Sequence, residues 1–157
     1  MLNVVIVGYD KALSSAMTGV ADLFGLAGVT WNRIQGQEPQ RLFNVRIASP
    51  DGEPVKCING IQLLAHMSYD QVEDVDAIVI PTIGGPVEDV VGNTPELMAL
   101  LQRADQAGWT IAGNCTGNFL LAEAGILDGK TATTHWGFSE LFARRYPQVD
   151  LKADQLI

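Results

Sequence analysis

The stretch Trp109-Thr110-Ile111-Ala112-Gly113-Asn114-Cys115-Thr116-Gly117-Asn118-Phe119-Leu120-Leu121-Ala122-Glu123-Ala124 decides how this chain is read. An apolar strand, Trp109 to Ala112, runs into a G-x-C-x-G turn, and a helical pattern follows at once. A strand that turns sharply into a helix forces the apex residue into strained backbone geometry. Glycines flank the apex because side chains there would clash. The apex side chain, here Cys115, is left exposed. Its expected place at a helix N-terminus, where unpaired N–H groups and the macrodipole favour negative charge, predicts a thiol that ionises more readily than a free cysteine. The bland alternative is a small buried hydrophobe.

Outward from the elbow, Asn3-Val4-Val5-Ile6-Val7 and Ala77-Ile78-Val79-Ile80 are continuous apolar runs, as strands buried on both faces of a parallel sheet require. Helical spacing puts Leu13, Met17, Val20, Ala21 and Phe24 on one face, and Leu97, Leu100, Leu101 and Ala104 on another. The second helix is punctuated by Thr94 as cap, Pro95 at the first helical position, Glu96 against the dipole and Gly108 at the exit. A third helix is predicted over Phe138 to Tyr146, stopped by Pro147, with Phe138, Leu141 and Phe142 inward. Phe43 to Ala48 alternates, a turn follows at Ser49-Pro50-Asp51-Gly52, and Val55 to Ile58 is extended, which predicts strand pairs at the sheet's edge. Strands alternating with helices specify an α/β three-layer sandwich with a mostly parallel central sheet, its site where the strand C-terminal ends gather.

The chain has 157 residues, 47% of them apolar, enough for one domain with a sizeable core. No basic leader or membrane-length apolar run is present, so a soluble cytoplasmic protein is expected. Cys57 and Cys115 are then expected as reduced thiols, Cys57 as a packing residue. Eighteen acidic against ten basic side chains give a net charge of −8. This segment repels a phosphate backbone and is not expected to bind DNA itself.

Cofactor signals are missing. Gly8-Tyr9-Asp10-Lys11 lacks the G-x-G-x-x-G needed to cradle a dinucleotide, and there is no Walker loop. Two histidines and two distant cysteines give no metal-ligand spacing, so neither metal nor cofactor is expected. His66 reads as structural or solvated. His135 reads as a cap or packing residue, with a lesser role as base to Cys115, and Trp136 as core or interface.

The elbow, followed by Leu120-Leu121-Ala122-Glu123-Ala124-Gly125-Ile126-Leu127-Asp128-Gly129-Lys130 and Thr131-Ala132-Thr133-Thr134-His135-Trp136, resembles the ThiJ/PfpI group, which shares the flavodoxin-like, class I glutamine amidotransferase-like fold. The resemblance runs over essentially the whole chain, residues 1–157, as a single domain expected to be truncated at its C-terminus. Two branches carry a similar C-T-G and T-T-H-W: isonitrile hydratases, and the N-terminal sensory domains of AraC-type regulators. The enzymes place a carboxylate early in the first helix to shuttle protons. Aligned on Thr18-Gly19 and Asp22-Leu23-Phe24, that place holds Ala16, which cannot transfer a proton. Val20, where proline is frequent, departs from both branches, and Gly137 replaces the glutamate of the amidotransferase triad.

The resemblance therefore implies a ligand-sensing domain of an AraC-type regulator. A small metabolite would be held by Cys115, Thr116, Asn114, Ser14, Ser15 and the backbone N–H groups at Gly84 and Gly85. A homodimer is expected, formed through apolar surface left by the truncation. The alternative is a cysteine-dependent hydratase or amidase with Cys115 as nucleophile, His135 as partner and the Thr116 N–H as oxyanion donor. A third reading makes Cys115 a redox sensor. The sequence does not name the ligand.

Overall fold

The structure, a computed structural model, describes residues 1–156. Its frame is a five-stranded parallel sheet of order β5-β2-β1-β6-β7. The strands are β1 (Leu2–Val7), β2 (Phe43–Ser49), β5 (Met67–Ser68), β6 (Ala77–Ile80) and β7 (Thr110–Gly113). Val4 to Val7 are all buried, so helices cover both faces of β1, as a continuous apolar run demands. Ile6, Val7, Ile78 and Ile80 form the centre of the core with Met17, Leu101, Phe119 and Phe142.

Three helices fall where the periodicity puts them: α1 (Ser14–Leu26), α4 (Pro95–Gln106) and α6 (Ser139–Arg145). Gly108 leaves α4 at φ +72°, a conformation that glycine adopts without penalty. Thr94 does not cap this helix. α3 (Val87–Gly92) ends two residues earlier, and the Thr94 hydroxyl donates backwards to Val90 O at 3.2 Å. Phe138 is 38% exposed rather than inward, although its ring still meets Phe119 edge-on at 6.4 Å. The short helices α2 (Thr30–Ile34) and α3 leave no sequence signature, because one or two turns carry too little periodicity.

The predicted pairing of 43–48 with 55–58 is corrected. β2 lies inside the sheet, parallel to β1, with Asn44 opposite Asn3, and the Asn44 amide donates to the Asn3 side chain at 3.0 Å. β5 pairs with β2 only at Ala48 and Ser49, so Phe43 to Arg46 keep the alternation of an outer strand, with Arg46 exposed. β3 (Val55–Lys56) instead pairs antiparallel with β4 (Gln62–Leu63) in a separate ribbon. β8 (Thr131–Ala132) runs parallel to β9 (Asp150–Leu151), within the stretch Val149-Asp150-Leu151 that its apolar ends predict to be extended. Leu156-Ile157, also extended by sequence, lies partly outside the described residues.

β1 is the strand at which the order reverses, since β2 lies on one side of it and β6 on the other. The loops leaving β1 and β6 are stitched together there by a bridge between Ala12 and Ile83 and by Leu13 N donating to Thr82 O at 2.9 Å.

Candidate functional site

The elbow follows β7. Cys115 has φ +55°, in the left-handed region that costs a non-glycine residue about 1–2 kcal/mol. Both flanking glycines are sterically required. A Cβ on Gly113 would lie 1.8 Å from Asn118 Oδ1, and one on Gly117 2.6 Å from the Pro81 carbonyl oxygen. The apex is followed by a 3-10 turn over Cys115–Gly117, and α5 (Asn118–Glu123) begins only at Asn118. Cys115 thus sits one tight turn ahead of the helix, not on its first residue.

Neighbouring loops fix the bend. Thr116 is buried, its hydroxyl accepting from Ile83 N at 3.0 Å and lying 3.3 Å from Ile83 O. Thr134 donates to the Cys115 carbonyl at 3.2 Å, and the Asn118 amide donates to Thr133 O at 2.6 Å. The Thr82 hydroxyl donates to the Asn114 side chain, and Asn114 N donates to Ile80 O at 2.9 Å. Behind α5, Glu123 accepts from the Tyr146 hydroxyl at 2.7 Å and faces Arg145 at 3.4 Å, which ties α5 to α6.

Cys115 is half-buried and opens on a cavity of about 430 Å³ that it shares with Asn114, Asn118, Thr134 and His135. His135 caps the turn after it, its Nδ1 accepting from Gly137 N at 3.1 Å, which leaves Nε2 as the protonated nitrogen of the neutral ring. Trp136, 77% exposed, is not a core residue; it lines the same cavity and stacks on the His135 ring at 5.3 Å. No hydrogen bond joins Cys115 to His135 among the described residues.

Other expected ligand contacts are dispersed. Gly84 N and Gly85 N both donate to Lys11 O, at 2.9 and 3.2 Å, so that pair of donors is spent inside the fold. Ser14 and Ser15 open α1 and do not line the cavity, and the Ser14 carbonyl accepts from Thr18 at 3.1 Å. Thr116 supports the bend from below. One carboxylate that sequence reasoning missed, Asp154, does reach the Cys115 cavity from the C-terminal segment. Lys152 N donates to Ala132 O at 2.8 Å, and the Thr133 hydroxyl donates to Gln155 O at 2.8 Å, which seats that segment as a wall. Nothing local in Ala153-Asp154-Gln155 signals this; only the pairing of β8 with β9 brings it near.

His66 is structural: its Nδ1 accepts from Ile47 N at 3.0 Å. Cys57 is buried and packs in the core, where burial pushes its thiol pKa up. No helix among the described residues is long and apolar enough to cross a membrane.

A parallel sheet carrying a cysteine at positive φ between two obligatory glycines defines an α/β protein with a nucleophile elbow. The chain belongs to the DJ-1/PfpI family, whose model matches residues 27–150. It is 34% identical over 110 residues to the HTH-type transcriptional regulator CdhR of Pseudomonas aeruginosa, a match covering 70% of this chain and 32% of that protein. It is 32% identical over 97 residues to an isonitrile hydratase of Pseudomonas putida, covering 62% of this chain and 42% of that one. The chain thus spans about a third of the regulator's length. The fold superposes on the crystal structure of an AraC family transcriptional regulator from Pseudomonas putida with a TM-score of 0.76 at 22% identity, covering 97% of this chain and 76% of that one.

Proposed function

We propose that the chain is the ligand-sensing domain of an AraC-type transcriptional regulator, acting in the cytoplasm and taking a small metabolite into the cavity at Cys115. The observation that carries this reading is a ready-made cavity without an assembled proton relay: Ala16 stands on α1 and no bond joins Cys115 to His135. The relationship to CdhR supports it. DNA would be reached through a separate domain, since this chain's net charge is −8. A homodimer belongs to the same proposal, supported by exposed Leu23 and Leu26 on α1 and Trp31 and Ile34 on α2.

A metabolite library screened by thermal shift tests the ligand. At about 100 times its dissociation constant a true ligand adds about 2.7 kcal/mol, a rise of roughly 5–10 °C for a domain of this size. Backbone amides of Asn114, Thr134 and His135 should move in nitrogen-15 spectra with the same hit. A library that moves none of them overturns the reading.

A second reading, a cysteine-dependent hydratase or amidase, is favoured by His135 and Asp154 lining the same cavity as Cys115. Turnover of isonitriles or amides that is abolished in Cys115→Ala establishes it; turnover that persists in Cys115→Ala removes it.

A further inference from the structure

A second cavity of about 420 Å³, similar in size to that at Cys115, opens outside the C-terminal ends of β1 and β2. Its rim is built from the turn after β1, the loop between β2 and β3, and the junction of α3 with α4. In open parallel sheets the crevice beside the strand where the order reverses is the usual ligand position, and β1 is that strand. The volume lies within the range of small-molecule sites.

Its charge defines what it takes. Asp10, Asp51, Glu53, Asp89 and Glu96 line it, against Lys11 and Lys56. Lys11 is already engaged with Asp89 at 3.8 Å. Val55, Val90 and Leu97 supply an apolar wall, and Tyr69 closes the floor with its hydroxyl donating to Gly8 O at 2.6 Å. Burial, then the carboxylates of Glu96, Asp10 and Asp51, push the Tyr69 phenol pKa up, so charges from three separate segments converge on one spot. No group of three His, Cys, Asp or Glu close enough to hold a metal ion occurs among the described residues. The carboxylates are spread around a cavity, which suits a cation with a body of its own.

We infer that this cavity is a second binding site, separate from the elbow, for a small organic ammonium ion whose apolar part lies against Val55, Val90 and Leu97. The inference does not rest on the sensing role of Cys115, which does not line this cavity.

Butylammonium chloride titrated into the nitrogen-15-labelled chain, with n-butanol and sodium chloride as controls, tests it. Saturable shifts are expected at Asp10, Asp51 and Glu96 with butylammonium, and none with n-butanol. The affinity should fall as sodium chloride is raised, because the attraction is screened. The double variant Asp10→Asn/Glu96→Gln should weaken binding about tenfold, while Cys115→Ser leaves it unchanged. No saturable shift, an equal response to n-butanol, or salt-independent binding would each overturn the site. So would undiminished affinity in a double variant that keeps a dispersed spectrum. Should that variant not fold, the alcohol and salt arms on the unaltered chain decide the matter alone.

Discussion

At the scale of single residues, the elbow is where the backbone has least freedom. A methyl group on Gly117 would meet the carbonyl oxygens of Pro81 and Ile80 at 2.6 and 2.7 Å, atoms that cannot turn aside without disturbing β6 and its loop. Gly117→Ala should therefore cost about 2–4 kcal/mol in urea denaturation. Gly19, in the body of α1, has nothing within 4 Å, and Gly19→Ala should instead stabilise by about 0.5–1 kcal/mol. An equal effect of the two changes would refute the steric account. This part of the site was legible in the sequence, because spacing alone shows which two residues must lack a Cβ. The hydrogen-bond fates of Gly84 and Gly85 were not. Whether an amide points into a cavity or at Lys11 O depends on how two loops meet, and no local pattern encodes that.

At the scale of elements, the strand runs at β1, β6 and β7 and the helices α1, α4 and α6 follow directly from apolar spacing. β2 alternates like an edge strand over Phe43 to Arg46 because β5 covers only its last two residues, although the strand order places it inside the sheet. On α1 the predicted face turns inward, with Met17 fully buried and Val20 and Ala21 packed against the core, while Leu23, off that face, is 71% exposed. On α2, Trp31 and Ile34 are each 66% exposed. Exposed aliphatic and indole side chains on α1 and α2 are what the proposed homodimer would cover. The double variant Leu23→Glu/Ile34→Glu is expected to sediment as a monomer that keeps a dispersed nitrogen-15 spectrum, whereas the parent is expected to sediment as a dimer. A parent that sediments as a monomer would remove the proposed homodimer.

At the scale of the whole molecule, all three tyrosines are held protonated. Burial is the leading cause at Tyr9, Tyr69 and Tyr146, and Glu123 adds to it at Tyr146. A group whose folded pKa lies above its unfolded value contributes stability that is complete below the unfolded pKa and is lost as pH rises toward the folded one. Loss should begin near pH 8.5 with Cys57, whose pKa is also raised, and steepen above about pH 10 to as much as 4 kcal/mol per pH unit as the tyrosines of the unfolded chain ionise. Chemical denaturation from pH 7 to 11 measures this, and a flat profile would contradict it. On the acid side, Asp70 and Asp150 are shifted down by hydrogen bonds from Ser68 and Lys152, but both are solvent-exposed and screened. The class of fold and the position of Cys115 could be read from the sequence. The two cavities could not, since each is walled by segments far apart in the chain.

The backbone at position 115 has an evolutionary corollary. Glycine, and to a lesser degree asparagine, occupies left-handed dihedrals more comfortably than cysteine does. Lineages in which sulfur at this corner had become dispensable would therefore drift toward those two residues under thermal selection alone, and retention of the thiol means paying a standing conformational penalty.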